Sequence, residues 1–389
     1  MSFHPFYKQL EQKAREAFPN LAAESQVGWD YLISPLEIEL PQSVRTSIEK
    51  AIRVAFKASR QQPFANSIQG VPKEILECPV KNHSVLMAYD FHTTENGEAF
   101  LVEINTNASG YIFASLMETT HQDSSLFEMP ELKDLKTSFE NELSLSGQPI
   151  TGRRVAITDE DIPSQKMYPE FLMYRDLFKT WGWTAEIVES KDLNPKDFDL
   201  VYNRLTDFYL EFPQHAKLRE TFLNQDVCLT PQPREYALLA DKQRLVELST
   251  PGWLEKLQLS EEEIADLRKV LIPTFERAQF GTEEEIWSQR KSLFFKPKRS
   301  FGSKSVYRGE SVSRKVFERL MQEDILIQRF VPAQKVPTDD PRSVLNNWKF
   351  DLRCFAYEDH LQLCAARIYQ GQVTNFASPL GGFTRVHFK

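Results

Sequence analysis

Residues 100–107 read FLVEINTN, and this stretch combines an apolar stripe with a row of polar side chains. Side chains alternate along a β-strand, so Val102 and Ile104 would point to one face while Glu103, Asn105 and Asn107 point to the other. The first face suits packing against a core. The second presents one carboxylate and two amides, which bind cations through oxygen. We therefore interpret the stretch as a strand at a functional site.

The same stretch is the second half of a predicted β-hairpin. Two strand-like runs, SVLMAYDF and EAFLVEIN, flank Asn96-Gly97, a pair that tolerates the positive φ of a tight turn. A two-residue turn at this pair places Asp90 directly opposite Glu103. Asp90, Glu103 and Asn105 then form an oxygen cluster of the kind that Mg²⁺ prefers. An antiparallel hairpin with one solvated face would show the same alternation.

The composition is that of a globular protein, and it limits the partners. The chain has 389 residues, enough for two or three domains, with 41% hydrophobic and 26% charged residues. The net charge of -8 argues against general nucleic-acid binding, since phosphate backbones are bound by clustered Lys and Arg. The sequence has no apolar run long enough to cross a bilayer, and its four cysteines form no CxxC pair. We expect a cytoplasmic protein that binds neither nucleic acid nor membrane.

Periodicity and capping predict the main elements. An apolar stripe predicts a helix within 41–60, formed by Val44, Ile48, Ile52 and Ala55. Residues 151–233 read as strand, helix, strand and strand, which is the rhythm of a small α/β domain with parallel strands. A further helix is expected over 234–248, and Thr282 with Glu285 forms a capping box that starts another. The last segment, from 349, indicates antiparallel strands.

A lysine and a small-residue loop form a second candidate site. In FFKPKRSFGSKSV, Lys296 ends an apolar strand, and Ser300, Gly302 and Ser303 follow in the loop. Backbone amides of such a loop can cover phosphate oxygens while the lysine neutralises their charge. The spacing is not that of a Walker A loop. A β-hairpin with a small-residue turn and a solvated lysine would give the same pattern.

Three further basic residues are candidates for anion binding. Arg353 in KFDLRCF and Arg367 in CAARIY lie in predicted strands, where an unpaired guanidinium is costly. They require carboxylates, either from the protein as structural ion pairs or from a bound anion. Lys242 lies in a predicted helix, where a solvated lysine is the usual case. The seven histidines have no metal-binding spacing, and no GxSxG motif supports a serine hydrolase.

Taken together, the motifs resemble the ATP-grasp superfamily. The similarity to the nucleotide-binding half of that superfamily lies in six motifs in this order: ADK with Lys242, FFKP with its Gly/Ser loop, ILIQRFV, DLR, AAR, and TNF followed by GG. AYDF with FLVEINTN resembles the magnesium-binding end. The order resembles circularly permuted members of the glutathionylspermidine synthetase-like type, because the magnesium strand comes first and the arginine strands come last. Such a permutation implies that Met1 and Lys389 lie close together.

The resemblance implies an α/β fold, namely a permuted ATP-grasp fold with an inserted small parallel α/β domain. Residues 1–150 would be the magnesium-binding part and residues 151–233 the inserted domain. Residues 234–389 would be the nucleotide-binding part, including a lid subdomain at about 270–335. One departure is Gln328, which stands where many members carry a glutamate at the adenine hinge, and no acidic residue for the ribose is evident.

The resemblance also implies an activity, the ATP-dependent joining of a carboxylate to an amine through an acyl phosphate. ATP and Mg²⁺ would be required, and ADP and phosphate released. The resemblance implies that Lys242 and Lys296 bind the α and β phosphates, that Ser300, Gly302 and Ser303 form the lid, and that Gln328 lies at the hinge. Asp90, Glu103 and Asn105 would bind magnesium. Arg353 and Arg367 would bind the transferring phosphoryl group, supported by Asn375.

The substrates would be a small acid and an amine, and Arg204 at the end of a predicted strand is the expected contact for the acid's carboxylate. Asn107 and Ser109 would border the same cleft, since ligands bind at strand ends of α/β sheets. A surface arginine that caps a strand would give the same pattern at Arg204. Two other functions remain open on the same fold: a phosphotransferase that needs no amine, and a non-catalytic nucleotide-binding interaction protein.

Overall fold

The strands group into three sheets in a computed structural model that describes residues 4–120, 125–148, 152–298, 307–337, 347–376 and 378–389. In chain order they are β1 Ile33–Leu40, β2 Met87–Thr93, β3 Ala99–Asn105, β4 Arg154–Asp159, β5 Thr184–Glu189, β6 Leu200–Asn203, β7 Cys228–Thr230, β8 Thr274–Glu276, β9 Leu293–Pro297, β10 Tyr307–Arg308, β11 Ile325–Arg329, β12 Gln334–Lys335, β13 Trp348–Tyr357, β14 His360–Gln370 and β15 Gly382–Phe388.

Helices surround the sheets, and their order confirms the expected α/β class. They are α1 His4–Ala17, α2 Leu21–Glu24, α3 Trp29–Leu32, α4 Gln42–Ser59, α5 Gln62–Ser67, α6 Lys73–Glu77, α7 Tyr111–Glu118, α8 Pro130–Ser146, α9 Tyr168–Thr180, α10 Ala216–Leu223, α11 Pro233–Glu235, α12 Gln243–Ser249, α13 Glu261–Val270, α14 Arg277–Phe280, α15 Glu283–Gln289 and α16 Arg314–Leu320. Among the described residues, no helix is both long and apolar enough to span a bilayer.

The large sheet draws its strands from both ends of the chain. Its order is β1-β15-β14-β13-β2-β3, with β12 beside β13. The pair β1/β15 is parallel, and the other pairs are antiparallel, as expected for the last segment. The predicted stripe of α4 is buried against this sheet, where the helix packs on β3 and β14. One continuous core therefore joins the N-terminal hairpin to the C-terminal strands.

The predicted register of the hairpin is confirmed at Asp90 and Glu103, but a different turn produces it. Asp90 pairs with Glu103, as expected, yet Thr94 and Glu98 close a three-residue loop instead of a two-residue turn. Gly97 alone takes the positive φ, at 75°. A β-bulge between Asp90 and Phe91 offsets the longer loop, because it inserts one extra residue, Val102, into β3. The bulge thus restores the opposition of the two carboxylates.

The middle sheet is parallel throughout, in the order β5-β4-β6-β7. The expected succession of strand, helix, strand and strand is confirmed by β4, α9, β5 and β6. The fourth strand, β7, has only three residues and was not expected from the sequence. A strand this short shows too few residues for a periodic pattern.

The third sheet is antiparallel in the order β10-β9-β11-β8. It has its own small core, and α15 and α16 cover it. The predicted capping box is present, since the Thr282 side chain accepts from the Glu285 amide and the Glu285 side chain accepts from the Thr282 amide. The loop with Ser300, Gly302 and Ser303, which joins β9 to β10, lies outside the described residues.

The single helix expected over 234–248 is wrong, because the segment is interrupted. A short helix, α11, leads into a π-helical turn over Tyr236–Ala240, and α12 begins only at Gln243. Asp241 causes the break, since it adopts an extended backbone and its side chain accepts hydrogen bonds from the Gln243 amide (2.9 Å) and from the Tyr209 hydroxyl (2.7 Å).

Both ends of the described chain lie on strand β1. The backbone of Lys389 pairs with Leu40 at one end of the strand. The Tyr7 hydroxyl of α1 donates to the Ile33 carbonyl at the other end, at 3.1 Å. Met1 lies outside the described residues, so the expected proximity of Met1 and Lys389 stays a prediction.

Candidate functional site

A cavity of about 620 Å³ lies where the large sheet faces the third sheet, within the range of small-molecule sites. Ten of the predicted residues line it, namely Asp90, Glu103, Asn105, Ser109, Lys242, Lys296, Gln328, Arg353, Arg367 and Asn375. Arg204 and Asn107 do not. The structure thus brings together residues up to 277 positions apart, as in the contact of Arg367 with Asp90.

The cavity is strongly cationic in a chain whose net charge is -8. Three carboxylates line it, Asp90, Glu103 and Asp351, against eight basic side chains, Lys166, Lys242, Lys296, Arg308, Arg329, Lys349, Arg353 and Arg367. A concave site with an excess of one sign focuses the field and attracts ligands of the opposite sign. The cavity is therefore built for an anion.

Asp90 is clamped by two arginines. Arg353 donates to it through two nitrogens, from Nε to Oδ1 at 2.9 Å and from Nη2 to Oδ2 at 2.8 Å, and Arg367 Nη2 donates to Oδ2 at 3.0 Å. Burial alone would raise the pKa of Asp90, but the two guanidinium charges lower it overall. Asp90 therefore stays ionised and fixes the position of both arginines.

Arg367 is shared between two carboxylates. Besides Asp90, it contacts Asp351 on the neighbouring strand through Nε to Oδ1 at 2.7 Å and Nη2 to Oδ2 at 3.0 Å. Thr374 also donates to Asp351. Arg353 contacts one aspartate, and its side chain in the cavity wall is 13% exposed. Arg367 contacts two aspartates and is held between them. Arg353 is thus the better placed of the two to meet a ligand.

Glu103 and Asn105 form the oxygen-rich edge of the cavity. The Asn105 amide nitrogen donates to Asp90 Oδ2 (3.0 Å) and to Glu103 Oε1 (3.3 Å), so it occupies the point on which the two carboxylates converge. The donor set fits Mg²⁺, which takes one or two carboxylates and completes its shell with water and phosphate oxygens. Among the described residues, no group of three or more His, Cys, Asp or Glu could hold a metal unaided. A cation here would complete its shell with oxygens from water or from a ligand.

Lys296 reaches into the cavity from β9 and meets the bulge of β3. Its ammonium group donates to the Val102 carbonyl at 2.9 Å, because the bulge turns that carbonyl away from the ladder. Burial lowers the pKa of Lys296 to about 8, with Lys242 adding to the effect and Glu103 opposing it. A phosphate group beside it would favour the charged form.

Lys242 lies at the break between the π-helical turn and α12, not inside a helix. The break exposes its side chain to the cavity, next to Tyr236 and Ala240. In an uninterrupted helix, the helical repeat alone would set the direction of the Lys242 side chain. The interruption at Asp241 is therefore what brings the second lysine to the site.

One end of the cavity is apolar and fits a planar group. The rings of Phe294 and Phe330 stack at 6.1 Å between centroids, and those of Phe208 and Tyr236 stack at 4.2 Å. These rings and Ile272 line the wall. Gln328 lies in the same wall, and its side-chain nitrogen donates to the Thr274 hydroxyl at 3.1 Å and, at 3.4 Å, to the Val102 carbonyl.

His92 is a cavity residue that the sequence did not single out. Its Nδ1 lies 2.7 Å from the Val331 carbonyl, so it ties β2 to the segment that follows β11. Burial lowers the pKa of His92, against the opposing charge of Asp351. A neutral imidazole therefore lies near the candidate phosphate-binding residues. The one sequence signal for His92 was the alternation of side chains along β2.

Arg204 lies behind the cavity wall, not in it. It is 6% exposed, and it donates to the Tyr202 hydroxyl at 2.9 Å and to the Ser109 hydroxyl. Ser109 itself lines the cavity. Asn107 donates to the Leu205 carbonyl at 2.7 Å and so joins the hairpin to the middle sheet. Arg204 and Asn107 therefore reach the cavity only through their neighbours.

A further group of lining residues was also missed by the sequence. Lys166 and Met167 come from the segment that precedes α9, and Phe376 and Phe383 come from the C-terminal segment. Gly110 makes room there, since a Cβ at this position would lie 1.8 Å from Phe383 Cζ. The turn of the chain at Gly110 needs its φ of 105°. Asn375, which was predicted, donates to the carbonyls of Gln370 (2.8 Å) and Val373 (3.0 Å) and holds its own loop.

Comparison with solved structures identifies the fold. A glutathione synthetase-like effector from Globodera pallida, in its apo form, matches 100% of this chain and 98% of its own at 11% identity, with a TM-score of 0.57. This chain has an ATP-grasp-type α/β fold. The expected ATP-grasp-type fold class is confirmed, whereas its circular permutation stays a prediction. At this level of identity the likeness concerns the fold alone.

Two further structures are similar at lower scores. A putative gamma-glutamylcysteine synthetase from Methylobacillus flagellatus KT covers 88% of this chain and 87% of its own at 10% identity, with a TM-score of 0.48. The ATP-grasp ligase PsnB, complexed with a minimal precursor, covers 57% and 77% at 12% identity, with a TM-score of 0.30. No protein-family model and no curated protein sequence matches the chain.

Proposed function

We propose that this protein is an ATP-dependent ligase that joins a small carboxylic acid to an amine and releases ADP and phosphate. The observation that carries the proposal is the cationic cavity with a carboxylate and amide edge, placed between the large sheet and the third sheet of an ATP-grasp-type fold. An anion such as a triphosphate fits the basic lining, and the stacked rings at one end fit its base.

The nucleotide would be held by two lysines of the cavity lining. Lys296 and Lys242 would contact the α and β phosphates, and Gln328 would lie at the hinge beside the base. The lid role of Ser300, Gly302 and Ser303 stays a prediction, since these residues lie outside the described part of the chain.

Glu103 and Asn105 would hold Mg²⁺, with Asp90 behind them. Both oxygens of Asp90 accept guanidinium bonds, so Glu103 and Asn105 are the better placed ligands. Bound there, Mg²⁺ would neutralise charge on the β and γ phosphates. Arg353, fixed by Asp90, would bind the transferring phosphoryl group, and Arg367 would keep the clamp in position.

The reaction has two steps. In the first, the acid's carboxylate oxygen attacks the γ-phosphorus of ATP, the bond from that phosphorus to the β,γ-bridging oxygen breaks, and ADP leaves. In the second, the amine nitrogen attacks the acyl carbon, the carbon–oxygen bond to phosphate breaks, and the nitrogen loses a proton. The residues described here mainly orient the reactants and neutralise charge, which are the largest contributions in phosphoryl transfer.

The acid would bind where the middle domain meets the hairpin. Ser109 lines this end and is held by Arg204, so we propose that Arg204 acts on the acid through Ser109. Asn107 would fix the same junction, and Asn375 would shape the loop opposite it. Arg204→Ala is expected to raise the KM for the acid and to leave nucleotide affinity unchanged.

The domain limits and the permuted order belong to the same proposal. Residues 1–150 and 234–389 would form one ATP-grasp core, with 151–233 inserted and a lid subdomain at about 270–335. The large sheet supports this division, because β2 from the first segment pairs with β13 from the last, and β3 pairs with β2. ATP as substrate and four free cysteines favour the cytoplasm as the location.

Calorimetric titration with a non-hydrolysable ATP analogue, with and without Mg²⁺, tests the site. We expect Mg²⁺-dependent binding that weakens in Lys296→Met and in Glu103→Gln. Lys191→Met and Glu186→Gln are matched controls, since both residues are exposed on the middle domain and lie outside the cavity lining. No binding by the wild type would contradict the nucleotide site.

The chemistry is tested by supplying ATP, Mg²⁺, a panel of acids and hydroxylamine. Hydroxylamine attacks an acyl phosphate and gives a hydroxamate, so its formation together with ADP does not require the natural amine to be known. ADP release without hydroxamate would instead favour a phosphotransferase. Nucleotide binding without ADP release from any acid would favour a non-catalytic binding protein.

A further inference from the structure

Two lysines hold the loop that links β14 to β15. Lys166 of the middle domain donates to the Phe376 carbonyl, and Lys349 of β13 donates to the Gly371 carbonyl at 3.0 Å. Within this loop, the Asn375 side-chain nitrogen donates to the carbonyls of Gln370 (2.8 Å) and Val373 (3.0 Å). Both lysines line the cavity. Among the residues that the structure describes, no carboxylate forms an ion pair with either ammonium group.

Lys166 is the more informative of the two, because it comes from the middle domain. Partial burial lowers the pKa of Lys166, although the residue stays exposed. The Phe376 carbonyl accepts from one of the three N–H donors of its ammonium group, so two donors remain for water or for a ligand. An anionic group of a bound ligand would accept from these donors and be attracted by the positive charge.

The surroundings of Lys166 suit a short carbon chain. Met167, Phe376 and Phe383 line the same cavity, and the Lys166 ammonium group lies 5.7 Å from the centroid of the Phe376 ring. The Phe376 and Phe383 rings meet edge to face at 5.2 Å. Ser109 supplies a hydroxyl in the same part of the cavity. A ligand here would thus have an aliphatic segment between the arginine clamp and Lys166.

We propose that the acid substrate carries a second anionic group, and that Lys166 binds it. The inference rests on the proposed ligase function and names its substrate class: a short aliphatic acid whose far end is a second carboxylate or a phosphonate-like or phosphate group. The reacting carboxylate faces Arg353, and the second anion faces Lys166. Lys166 is therefore a specificity-determining residue.

The test compares matched acids in the hydroxamate assay. Straight-chain monoacids of four to six carbons are paired with the diacids of equal length, for example pentanoate with glutarate, and with the terminal phosphonate analogue. We expect wild-type kcat/KM to favour a dianionic member over its monoacid by at least about tenfold, the usual worth of one charge-assisted hydrogen bond. Preference for carboxylate over phosphonate, or the reverse, identifies the second group.

Variants at Lys166 separate specificity from folding. Lys166→Met should raise the KM for the dianionic acid by at least about tenfold, with little change in kcat and in nucleotide affinity. Lys166→Arg should restore much of the preference, and Lys191→Met, which removes an exposed charge from the same domain, should behave as wild type.

The outcomes distinguish this inference from the proposed function. Nucleotide binding without any preference for a dianionic acid, or an equal effect of Lys166→Met on mono- and dianionic acids, would overturn the role of Lys166 and leave the ligase intact. The absence of both nucleotide binding and hydroxamate would instead remove the ligase itself.

Discussion

Lys296 is held in a place where burial disfavours its charge, and this makes it sensitive to pH. Its pKa of about 8 lies below the ordinary lysine value of 10.5 because burial favours the neutral amine. A bound phosphate would favour the ammonium form, so binding should take up a proton at high pH. Nucleotide affinity is expected to be constant below about pH 7.5 and to fall above about pH 8 by up to about tenfold per pH unit.

Calorimetry of the ATP analogue between pH 7 and 9.5 measures this dependence. Lys296→Arg keeps the charge throughout the range, so its affinity should lose the pH dependence. Lys296→Met should bind more weakly, by about 1.5–3 kcal/mol, and also without a slope. A wild-type profile as flat as that of Lys296→Arg would mean that Lys296 does not contact the phosphates.

For individual residues, the sequence predicted the candidate site residues better than it predicted their hydrogen-bond partners. Asp90 opposite Glu103 followed from strand alternation and a turn signal, and the hairpin brought both to the cavity. The acceptor for Lys296 could not be predicted, because Val102 offers its carbonyl only through a bulge that no side-chain pattern encodes. Lys166 gave no signal either, since a loop lysine is ordinarily solvated.

Among the elements, the break between α11 and α12 matters most for the site. Asp241 accepts from the Gln243 amide at 2.9 Å and thereby starts α12, while Lys242 beside it lines the cavity. Asp241→Ala removes the cap and the bond from Tyr209. We expect a loss of about 1–2 kcal/mol in the free energy of unfolding and weaker nucleotide binding, since Lys242 loses its fixed position.

Urea denaturation and titration with the ATP analogue check the two effects. Asp241→Asn is the matched control, because asparagine also caps helices and accepts from Tyr209. It should retain most of the stability and the affinity. Nucleotide affinity unchanged in Asp241→Ala would show that the interruption of the helix does not position Lys242.

This break also shows where element prediction from sequence failed. The apolar positions of 234–248 fit a helix, and most of the segment is helical in some form. The π-helical turn depends on tertiary contacts, above all the Tyr209 hydroxyl at Asp241, which lies 32 positions away. Long periodic elements such as α4, by contrast, were predictable because their burial pattern is local.

In the whole molecule, the cavity joins segments that are far apart in sequence. The hairpin β2/β3 supplies the oxygen edge, β9 supplies Lys296, and β13 supplies Arg353. Sequence patterns predicted these segments as strands and singled out their candidate site residues. The arrangement of sheets came from the resemblance to a known fold, because periodicity within a segment carries no information about which distant strand will pair with it.

A ligand in this cavity should therefore stabilise the molecule across all of these segments. An ATP analogue with Mg²⁺ at about 100 times its dissociation constant should add about 2.7 kcal/mol to the free energy of unfolding, since it binds the folded chain alone. Hydrogen exchange should slow in β3, β9 and β11, which face the ligand, and change little in β5, at the far edge of the middle sheet. Lys296→Met at the same ligand concentration should lose most of this protection. Slower exchange confined to the middle sheet would place the nucleotide elsewhere, and the cationic cavity between the large sheet and the third sheet would then have to bind a different anion.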